Sequence, residues 1–570
     1  MTDDPLDPKV QKLGIVTDLH SCVGCEACAL HCKETKAGEP LSDFGKKGPI
    51  PIEPSSVWHN RVHSIEYSTN TGERFAYFPR SCLHCERPAC EEVCPTGAVF
   101  KRSDDGIVII NENFCIGCNL CAWACPYGAL EFNPSAGSMQ KCDMCVDIIY
   151  DANLPDSERV PVCVSSCPVN ARHFGDLNDP GSDVSKLVEK RGGYELMSEL
   201  GYKPTNSYLP PESLPPQMDQ RDDIQAFLEP VSRAQEIVPI QKSSDPFLLR
   251  RFPGLREVPW PQILHSTLTG CGFGILIWMS FFAFFSAVEP NRMFGLASFG
   301  LALAIISLGT WTSIIGLSKP KLFWITFTQW KTNWGSRHAI MSLASILAAI
   351  VFAVGWVGFG DYGNFWRLIS GLTVFFAMGA IVSTAMTYAS IRTIRAWFNP
   401  HTIRVMICMG LWTGVVWFNM FAQLFGLHTP VIGIILIITG IATLIFKRKY
   451  WIFIDRSPTW VSPESAFGSW SSESAKVRAT ATTLENYIHH QLGPTSDRKQ
   501  IEKLRRRSFL LYLLVPFCAC TMPVEMDFWI RMPAAILAST SVIAGVLVER
   551  WLFFTEAKHT AMLYYGKQSS

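Results

Sequence analysis

Apolar residues form long runs in the second half of the chain, whereas the first 260 residues contain only short ones. Eight runs of roughly 17 to 26 residues follow residue 262, each long enough, or nearly so, to span a bilayer as a helix. They lie near residues 263–288, 294–317, 339–359, 368–390, 405–426, 430–446, 508–524 and 528–548. A single run of this kind is also typical of a buried core helix. Eight in succession predict a transmembrane bundle.

Shorter apolar stretches, separated by turn residues, mark the first part of the chain. TGAVF at 96–100 and GIVIIN at 106–111 are each expected to form a strand. Between the two halves lies a stretch rich in proline and mixed charge, a composition typical of an extended linker. The predicted organisation is a folded domain over residues 1–202, a linker over 203–262 and a membrane domain over 263–560.

Cysteine is concentrated in the first domain, where sixteen of the chain's twenty cysteines precede residue 168. They fall into four groups, of which groups two, three and four are each followed by proline. In chain order the groups are Cys22, Cys25, Cys28 and Cys32; Cys82, Cys85, Cys90 and Cys94; Cys115, Cys118, Cys121 and Cys125; and Cys142, Cys145, Cys163 and Cys167. The spacing C-x2-C-x2-C-x3-C-P is that of [4Fe-4S] proteins, in which three cysteines surround one cluster and the fourth reaches its neighbour.

Two other uses of cysteine fit this pattern less well. Disulfides are not favoured, because the polar, acidic N-terminus shows no signal peptide, although export on a partner's twin-arginine signal stays open. Zinc sites use two C-x2-C pairs separated by a knuckle. Sixteen ligands at four per cluster leave none over, so four [4Fe-4S] clusters are predicted. The net charge of +1 gives no reason to expect a nucleic acid partner.

The four groups, together with GYELM at Gly193–Met197 and YLPP at Tyr208–Pro211, carry a family resemblance. Residues 12–210 resemble the four-cluster electron-transfer subunit of the dimethyl sulfoxide reductase family of molybdenum enzymes. The resemblance implies an α+β fold of duplicated ferredoxin-like 2x[4Fe-4S] domains, here followed by an all-α eight-helix bundle. It also implies a partner, a catalytic subunit that holds a molybdopterin cofactor.

The same resemblance implies which cysteines share a cluster. The four sets, from the catalytic subunit towards the membrane, are Cys22, Cys25, Cys28 and Cys167; Cys142, Cys145, Cys163 and Cys32; Cys82, Cys85, Cys90 and Cys125; and Cys115, Cys118, Cys121 and Cys94. Some relatives carry tryptophan in place of the second cysteine of group three and bind a three-iron cluster there. Cys118 occupies that position here, so four cubanes are expected.

A second resemblance covers the membrane half. It is carried by WKTNWGSRHA at Trp330–Ala339, YASIRTIRAWFNP at Tyr388–Pro400 and YWIFIDR at Tyr450–Arg456. These motifs resemble the eight-helix anchor that pairs with the cluster subunit, and the middle one is most similar to that of cytoplasmic sulfite-oxidising molybdoenzymes. Two departures concern positions linked with quinone binding in the family. The family usually has a histidine shortly before a basic residue followed by proline, and this histidine is missing around Gly316–Pro320. The family's usual Ser-Arg-Glu is replaced here by a sequence that ends in His338.

A quinone headgroup needs hydrogen-bond partners for two carbonyl oxygens and a group that exchanges protons. Seven polar residues near one face of the predicted bundle are candidates, although each also fits a role as a lipid-phosphate anchor or an interfacial contact. They are His265, Arg337, His338, Tyr388, Arg392, Arg395 and His401. Arg337 with His338 is the preferred pair, because histidine exchanges protons near neutral pH.

Haem binding and transport are two other functions of membrane helix bundles. Haem ligated by two imidazoles needs histidines that face one another within the bundle, and His265, His338, His401 and His428 all lie at predicted segment ends. No haem is therefore expected. A transporter is not favoured either, since no acidic residue falls near a predicted midplane.

Charge in the loops predicts the orientation. One side of the bundle carries Arg292, Arg367 and Arg531, while the other receives two short basic loops and a long one with twelve basic residues over 447–507. The positive-inside rule places the basic side, both termini and the cluster domain in the cytoplasm, with the helices in the inner membrane.

The function predicted from these features is relay of electrons through four [4Fe-4S] clusters between a catalytic subunit, best assigned to sulfite oxidation, and membrane quinone. One alternative runs the same path backwards, as the quinol-oxidising subunit of a dimethyl sulfoxide-type reductase. Another, from a different class, is a membrane-tethered redox sensor. No residue of this chain is expected to convert the substrate of the catalytic subunit, so no catalytic residue is predicted.

Overall fold

The computed structural model describes residues 11–37, 57–69, 72–211, 259–285, 291–360, 363–427, 429–456, 461–471, 476–478, 488, 498–520 and 527–565. The chain folds as two compact units. The first contains Met1–Arg250, Thr459–Gly493 and His559–Ser570, and the second contains Arg251–Pro458 and Pro494–Lys558. Residues 212–258, which make up most of the predicted linker over 203–262, lie outside the described residues, as does His428.

The strands are β1 (Leu13–Asp18), β2 (Asn60–Thr69), β3 (Gly72–Ser81), β4 (Val99–Lys101), β5 (Val108–Ile110), β6 (Glu131–Asn133), β7 (Ser138–Gln140), β8 (Arg172–Asp176), β9 (Ser207–Leu209) and β10 (Lys476–Arg478). The α-helices of the first part of the chain are α1 (Ala27–Ala37), α2 (Ala89–Glu92), α3 (Leu120–Ala124), α4 (Val146–Ile149), α5 (Val162–Ser165) and α6 (Asp183–Arg191). Later α-helices are α7 (Trp260–Phe284), α8 (Arg292–Ile315), α9 (Trp334–Ala353), α10 (Asn364–Ala389), α11 (Pro400–Leu424), α12 (Pro430–Arg456), α13 (Pro463–Phe467), α14 (Arg498–Phe509), α15 (Val515–Cys520) and α16 (Phe528–Thr555). Short 3-10 helices cover Asp156–Glu158, Ser198–Leu200, Pro320–Phe327 and Thr560–Tyr565, and π-helical turns cover Val354–Phe359 and Leu510–Leu514.

Small sheets and hairpins, rather than one large sheet, support the first unit. The strands β8, β1 and β9 form one sheet, in which β1 runs antiparallel to β8 and parallel to β9. A second sheet joins β10, β2 and β3, with Lys476 opposite Glu66. The hairpins β4–β5 and β6–β7 complete the set. These elements leave the cysteine groups on the connecting loops and short helices.

The strand predictions hold for β5, which lies within 106–111, and in part for β4. The latter begins at Val99 rather than Thr96, because Gly97 has a φ of 67° and forms a turn after the cysteine–proline step. The predicted boundary after residue 202 falls inside the first unit, since β9 pairs with β1 through Val16 and Ser207. The predicted end of the membrane domain at residue 560 also falls inside this unit.

Two segments from later in the chain, around 461–471 and 559–565, complete the core of the first unit. Phe78 stacks on Tyr208 with centroids 4.5 Å apart and meets Phe467 edge-on at 5.5 Å. The Tyr194 hydroxyl donates to Phe467 O at 2.6 Å, and Tyr564 packs against Phe467 at 5.2 Å. The motif residue Tyr194 therefore binds the segment around 461–471, which in turn packs on the segment around 559–565, while Tyr208 supports Phe78.

In the second unit, seven helices are long and apolar enough to cross a membrane among the residues described. They are Trp260–Phe284, Arg292–Ile315, Trp334–Phe359, Asn364–Ala389, Pro400–Leu424, Pro430–Arg456 and Phe528–Thr555. The predicted run at 508–524 is helical through α14, the π-turn and α15, but the described part stops at residue 520. The remaining seven predicted runs correspond to the seven helices.

Glycines let α7 and α11 approach closely at the centre of the bundle. A Cβ atom on Gly274 would clash with the carbonyl oxygen of Gly410, and one on Gly414 would clash with the backbone of Gly274. Of the apolar windows in the seven spans, those of α7 and α11 are the most buried, at 78% and 72%. Small residues at a helix crossing let backbones pack by van der Waals contact, which is the main attraction between helices in lipid.

Candidate functional site

The four cysteine groups share a backbone feature that wraps each loop around its thiols. The residue immediately before the second cysteine has a positive φ in every group: 70° at Gly24, 44° at His84, 68° at Gly117 and 59° at Met144. Glycine adopts this left-handed conformation at no steric cost, whereas histidine and methionine adopt it at some cost. The four loops are therefore local equivalents, although only two of them show this in the sequence.

Electrostatic interactions join thiols within each of the four sets that the resemblance implies, and these sets are called quartets A to D below; the assignment of each set to one cluster stays a prediction. In quartet A, Cys22 interacts electrostatically with Cys25, Cys28 and Cys167. In quartet B, Cys32 interacts with Cys145 and Cys163, and Cys142 interacts with Cys32 and Cys163. In quartet C, Cys85 interacts with Cys82, Cys90 and Cys125. In quartet D, Cys121 interacts with Cys94, Cys115 and Cys118.

Interactions between quartets give them an order. Cys28 of quartet A interacts with Cys163 of quartet B. Cys142 of quartet B interacts with Cys82 of quartet C, and Cys121 of quartet D interacts with Cys90 of quartet C. The quartets therefore follow one another as A, B, C and D.

The chemistry of the quartets fits a bound cubane. Burial raises the pKa of Cys22 to about 12 and that of Cys28 to about 11, so these thiols bind a metal by giving up a proton that they otherwise hold firmly. Backbone N–H groups already point at sulfur in several places, with Ala171 N donating to Cys167 Sγ at 3.2 Å and Met139 N to Cys115 Sγ at 3.4 Å. Donors of this kind stabilise charge on cluster sulfurs.

Two buried cations lie at the junctions between quartets. Arg172 is 4% exposed and interacts with Cys28 of quartet A and Cys163 of quartet B. Lys141 is 5% exposed, donates to Cys142 O at 2.9 Å, and interacts with Cys82 and Cys90 of quartet C. A buried charge needs compensation, and the negative charge of thiolate-bound clusters supplies it.

The C-terminal return contacts the loop of group three. His559 Nε2 lies 2.9 Å from Trp123 O, and Thr560 Oγ1 donates to Pro126 O at 3.4 Å. Trp123 and Pro126 lie on either side of Cys125 in the sequence. Nothing in the sequence points to this contact, since a lone histidine near a chain end has no periodic pattern around it.

In the second unit, two of the seven predicted quinone residues meet. His265 Nε2 on α7 lies 3.2 Å from His338 Nε2 on α9, with the rings edge-on. The other ring nitrogens lie beside backbone carbonyls, His265 Nδ1 at 3.0 Å from Gly309 O and His338 Nδ1 at 3.1 Å from Ala380 O. The sequence placed these histidines at separate segment ends, whereas the fold turns them towards each other. The absence of haem stays a prediction.

The other five candidates lie apart from this pair. The guanidinium of Arg337 turns to the preceding segment instead, where it donates to Trp330 O at 2.9 Å and Lys331 O at 2.6 Å. Tyr388 is buried against Trp397, Phe553 and Phe554. The guanidinium of Arg395 lies 4.8 Å from the ring centroid of Phe453, and the His401 ring lies 6.1 Å from it. Arg392 is exposed and its guanidinium lies 5.9 Å from the ring centroid of Phe398.

A set of buried charges in the second unit was not predicted from the sequence. Lys447 on α12 and Glu549 on α16 form an ion pair with side chains 2% and 0% exposed. The adjacent Arg550 is 4% exposed, with Nη1 3.2 Å from Glu549 Oε2. The predicted runs ended at residues 446 and 548, just before these charges, but the helices continue to Arg456 and Thr555. A hydropathy window extended past the end of each run would have included these charges in the predicted helices.

The paired cubane-binding loops and the bundle of apolar helices together place this protein in a class, the membrane proteins that carry iron–sulfur clusters for electron transfer. Comparison with known families agrees. Two family profiles, each described as a 4Fe-4S dicluster domain, match residues 21–98 and 73–177 and imply that the protein holds iron–sulfur clusters.

Curated relatives match the first part of the chain. The B subunit of sulfite dehydrogenase from Allochromatium vinosum is 47% identical over 199 residues, 35% of this chain and 83% of the relative. The B subunit of anaerobic dimethyl sulfoxide reductase from Escherichia coli strain K12 is 40% identical over 171 residues, 29% of this chain and 74% of the relative. Protein NrfC of the same strain is 34% identical over 193 residues, 34% of this chain and 78% of the relative. The protein belongs to this family of iron–sulfur electron-transfer subunits.

Proposed function

We propose that this chain relays electrons through four [4Fe-4S] clusters between a separate molybdopterin-containing catalytic subunit and membrane quinone. The observation that carries the proposal is the order A, B, C and D of the four quartets in one unit of a chain whose other unit is a bundle of apolar helices. A linear order suits a conducting path, since each step passes one electron to the next centre.

In this proposal each quartet holds one cluster through its four thiolates, and each cluster, when bound, accepts and donates one electron at a time. The chain's own residues then set where electrons travel. Quartet A, with Cys22, faces the catalytic subunit, and quartet D, with Cys115, is the end that serves quinone. Arg172 and Lys141 place positive charge at two junctions of the path, which favours the reduced form of the clusters beside them.

Quinone exchange is assigned to the helical unit. Among the seven predicted residues, His265 and His338 support this assignment, because they are titratable, half-buried and in mutual contact. Arg337, Tyr388, Arg392, Arg395 and His401 remain candidates for guiding or anchoring the headgroup, but their contacts described above place them with other partners.

The cytoplasmic side of the inner membrane is the proposed location of the cluster unit, on the strength of the basic loops. Sulfite is the proposed substrate of the catalytic partner, supported by the 47% identity to the B subunit of sulfite dehydrogenase. The 40% identity to the B subunit of dimethyl sulfoxide reductase supports the reverse direction as a second candidate, in which quinol is oxidised.

The test is purification of the full chain with its catalytic partner from membranes of the native host. Sulfite-dependent reduction of decylubiquinone is expected, together with a pterin-containing subunit and four clusters counted by electron paramagnetic resonance after reduction. Dimethyl sulfoxide-dependent oxidation of quinol without sulfite activity would instead establish the second candidate. Neither activity, with no co-purifying pterin subunit, would overturn the electron-relay proposal and favour a membrane-tethered sensor.

A further inference from the structure

A cavity lies inside the second unit between α7, α10, α11 and α16. It is a narrow cavity that is partly open to the outside. Its polar lining includes Thr267, Thr384, Thr413 and Arg550, and its apolar lining includes Phe273 and Met406. A mostly apolar pocket with a few convergent polar groups is the usual form of a small-molecule site. None of the seven predicted quinone residues lines it.

The lining residues lie at one level of the bundle. They come from the first half and the centre of α7 and α11 and from the last halves of α10 and α16. The cavity therefore lies towards the end of the bundle at which α10 ends and α11 begins, where the basic segment with Arg392 and Arg395 follows. It is also the side that the loop charges assign to the cytoplasm.

Arg550 supplies this cavity with a buried positive charge. Its Nε has no hydrogen-bond partner in the described part of the chain, and its Nη1 approaches Glu549 without forming a hydrogen bond. The hydroxyl of Thr267, on the facing helix α7, likewise has no partner among the described residues. Unpaired buried donors cost free energy, so a ligand with oxygen acceptors is the complement that this lining calls for.

Thr384 connects the cavity to the histidine pair. Its Oγ1 lies 2.9 Å from His338 Nδ1 and donates to Ala380 O at 3.0 Å, while the residue lines the cavity. His338 in turn meets His265 at 3.2 Å. A continuous row of proton-exchanging groups therefore runs from the cavity wall through Thr384 and His338 to His265.

The two rings can hold the proton that this row delivers. A carbonyl oxygen only accepts, so His265 Nδ1 carries hydrogen where it bonds Gly309 O. His338 Nδ1 lies between two oxygens, Ala380 O at 3.1 Å and Thr384 Oγ1 at 2.9 Å. When both Nδ1 atoms carry hydrogen, one further proton shared between the Nε2 atoms, 3.2 Å apart, forms a charge-assisted hydrogen bond, and this protonated pair is the state that donates.

We propose that the cavity binds the quinone headgroup, with Arg550 paired to one carbonyl oxygen and Thr384 relaying a proton from the His265–His338 pair to the other. The inference builds on the proposed function and gives it a site. Two electrons arrive singly from the iron–sulfur clusters. An N–H bond of His338 breaks as an O–H bond of Thr384 forms, and Thr384 passes its own proton to the headgroup. The shared proton moves fully onto His338, and water at the basic side supplies the second proton of the quinol.

Arg550 acts in this scheme before the protons arrive. The first electron places negative charge on the headgroup, and a fixed guanidinium stabilises that charge in a site with low dielectric. Thr384 is satisfied in both states, because after the transfer its hydroxyl donates back to the unprotonated Nδ1 of His338. The same groups run in the opposite order when quinol is oxidised.

The experiment uses the complete complex in detergent, with decylubiquinone and menadione as benzoquinone and naphthoquinone probes. Arg550→Gln is expected to raise the Kd of the quinone that the wild type binds by at least about tenfold, and Arg550→Lys to restore most of the affinity. Thr384→Val is expected to lower kcat by about a hundredfold with KM within about twofold. Thr373→Val is the matched control, since Thr373 is buried on the same helix, donates to Ile369 O at 2.9 Å and does not line the cavity.

Photolabelling of the wild type with an azidoquinone makes the test independent of variant folding. Labels are expected within residues 266–273 or 406–413 of the cavity wall. Labels at Arg395 or His401 instead, or variants indistinguishable from Thr373→Val, would overturn the cavity while leaving quinone exchange intact. A wild type that neither binds nor reduces either quinone would overturn the proposed function itself.

Discussion

His559 Nε2 donates a hydrogen bond to the carbonyl oxygen of Trp123 at 2.9 Å, across 436 residues of sequence. His559 Nδ1 accepts from Ala561 N at 3.0 Å, so the neutral ring satisfies both nitrogens. Both residues are fully buried. The C-terminus of this membrane protein is therefore part of its iron–sulfur unit, where it contacts the loop between the last two cysteines of group three.

Acid should weaken this contact. Burial lowers the pKa of His559 to about 4, from an ordinary value of 6.5. The unfolded chain therefore binds the proton more readily between these values, so the histidine's contribution is present above about pH 6.5 and is lost as the pH falls towards 4. The full loss is about 3 kcal/mol.

The measurement is the thermal midpoint of the first unit between pH 7.5 and pH 5 for the wild type and for His559→Gln, which cannot titrate. The difference between the two proteins cancels acid effects common to both, including those of His59 and His63, whose pKa values burial also lowers. The wild type is expected to lose more stability than the variant. Parallel pH profiles would show that His559 does not titrate as described.

Arg172 should set the potentials of the first two clusters. Removing its charge in Arg172→Leu lowers the reduction potential of clusters in quartets A and B, because a positive charge favours the form with an added electron. If the separation is taken as about 8 Å, Coulomb's law with an effective dielectric of about 20 gives about 2 kcal/mol. This corresponds to about 90 mV for a one-electron step.

A redox titration followed by electron paramagnetic resonance checks this. Arg172→Lys keeps the charge and should stay close to the wild type, and the cluster of quartet D serves as an internal reference in every sample. Equal shifts in all clusters, or a shift in Arg172→Lys as large as in Arg172→Leu, would point to a general loss of structure rather than to charge.

Pro516 allows a double-mutant test in the helical unit. Because proline has no backbone N–H, Pro516 cannot donate a hydrogen bond to Leu511 O or Tyr512 O, and side chains on two other helices donate to these carbonyl oxygens instead. Ser541 Oγ donates to Leu511 O at 2.7 Å and Trp412 Nε1 to Tyr512 O at 2.6 Å. Ser541→Ala should therefore cost about 1 to 3 kcal/mol of stability by leaving the carbonyl of Leu511 unpaired. Val515 N donates to Leu510 O, five residues back, so in the Pro516→Ala background the new N–H lies opposite Leu511 O and the same substitution should cost clearly less. Equal costs in both backgrounds would contradict this account of the π-turn.

The crossing of α7 and α11 should tolerate no added methyl group. Gly274→Ala is expected to lower the thermal midpoint and the yield of folded protein, because its Cβ meets the Gly410 carbonyl. Overpacking of this kind costs typically about 1 to 3 kcal/mol. Gly300→Ala on α8 is the control, since nothing lies within 4 Å of its added Cβ. If both variants unfold alike, the close crossing does not exist as described.

Local patterns in the sequence predicted most of this architecture. Cysteine spacing and apolar run length are read within short windows, and they led correctly to the iron–sulfur class and to seven of the eight predicted membrane helices. The contacts that the sequence did not reveal join distant residues: Trp123 with His559, His265 with His338, and Tyr194 with Phe467. No periodicity links such partners, because packing alone brings them together. Arg550 was not predicted for another reason. An apolar run ends at the first charged residue, whereas the helix itself continues past that residue.

The central claim, that electrons pass from the catalytic subunit through these clusters to quinone, is tested most directly in anaerobic membranes that contain the complete complex. The clusters are first reduced with sulfite and followed by electron paramagnetic resonance, and decylubiquinone is then added. The cluster signals are expected to appear with sulfite and to disappear on adding quinone, with one quinol formed for every two electrons lost. Clusters that sulfite reduces but that stay reduced in the presence of quinone would contradict the claim.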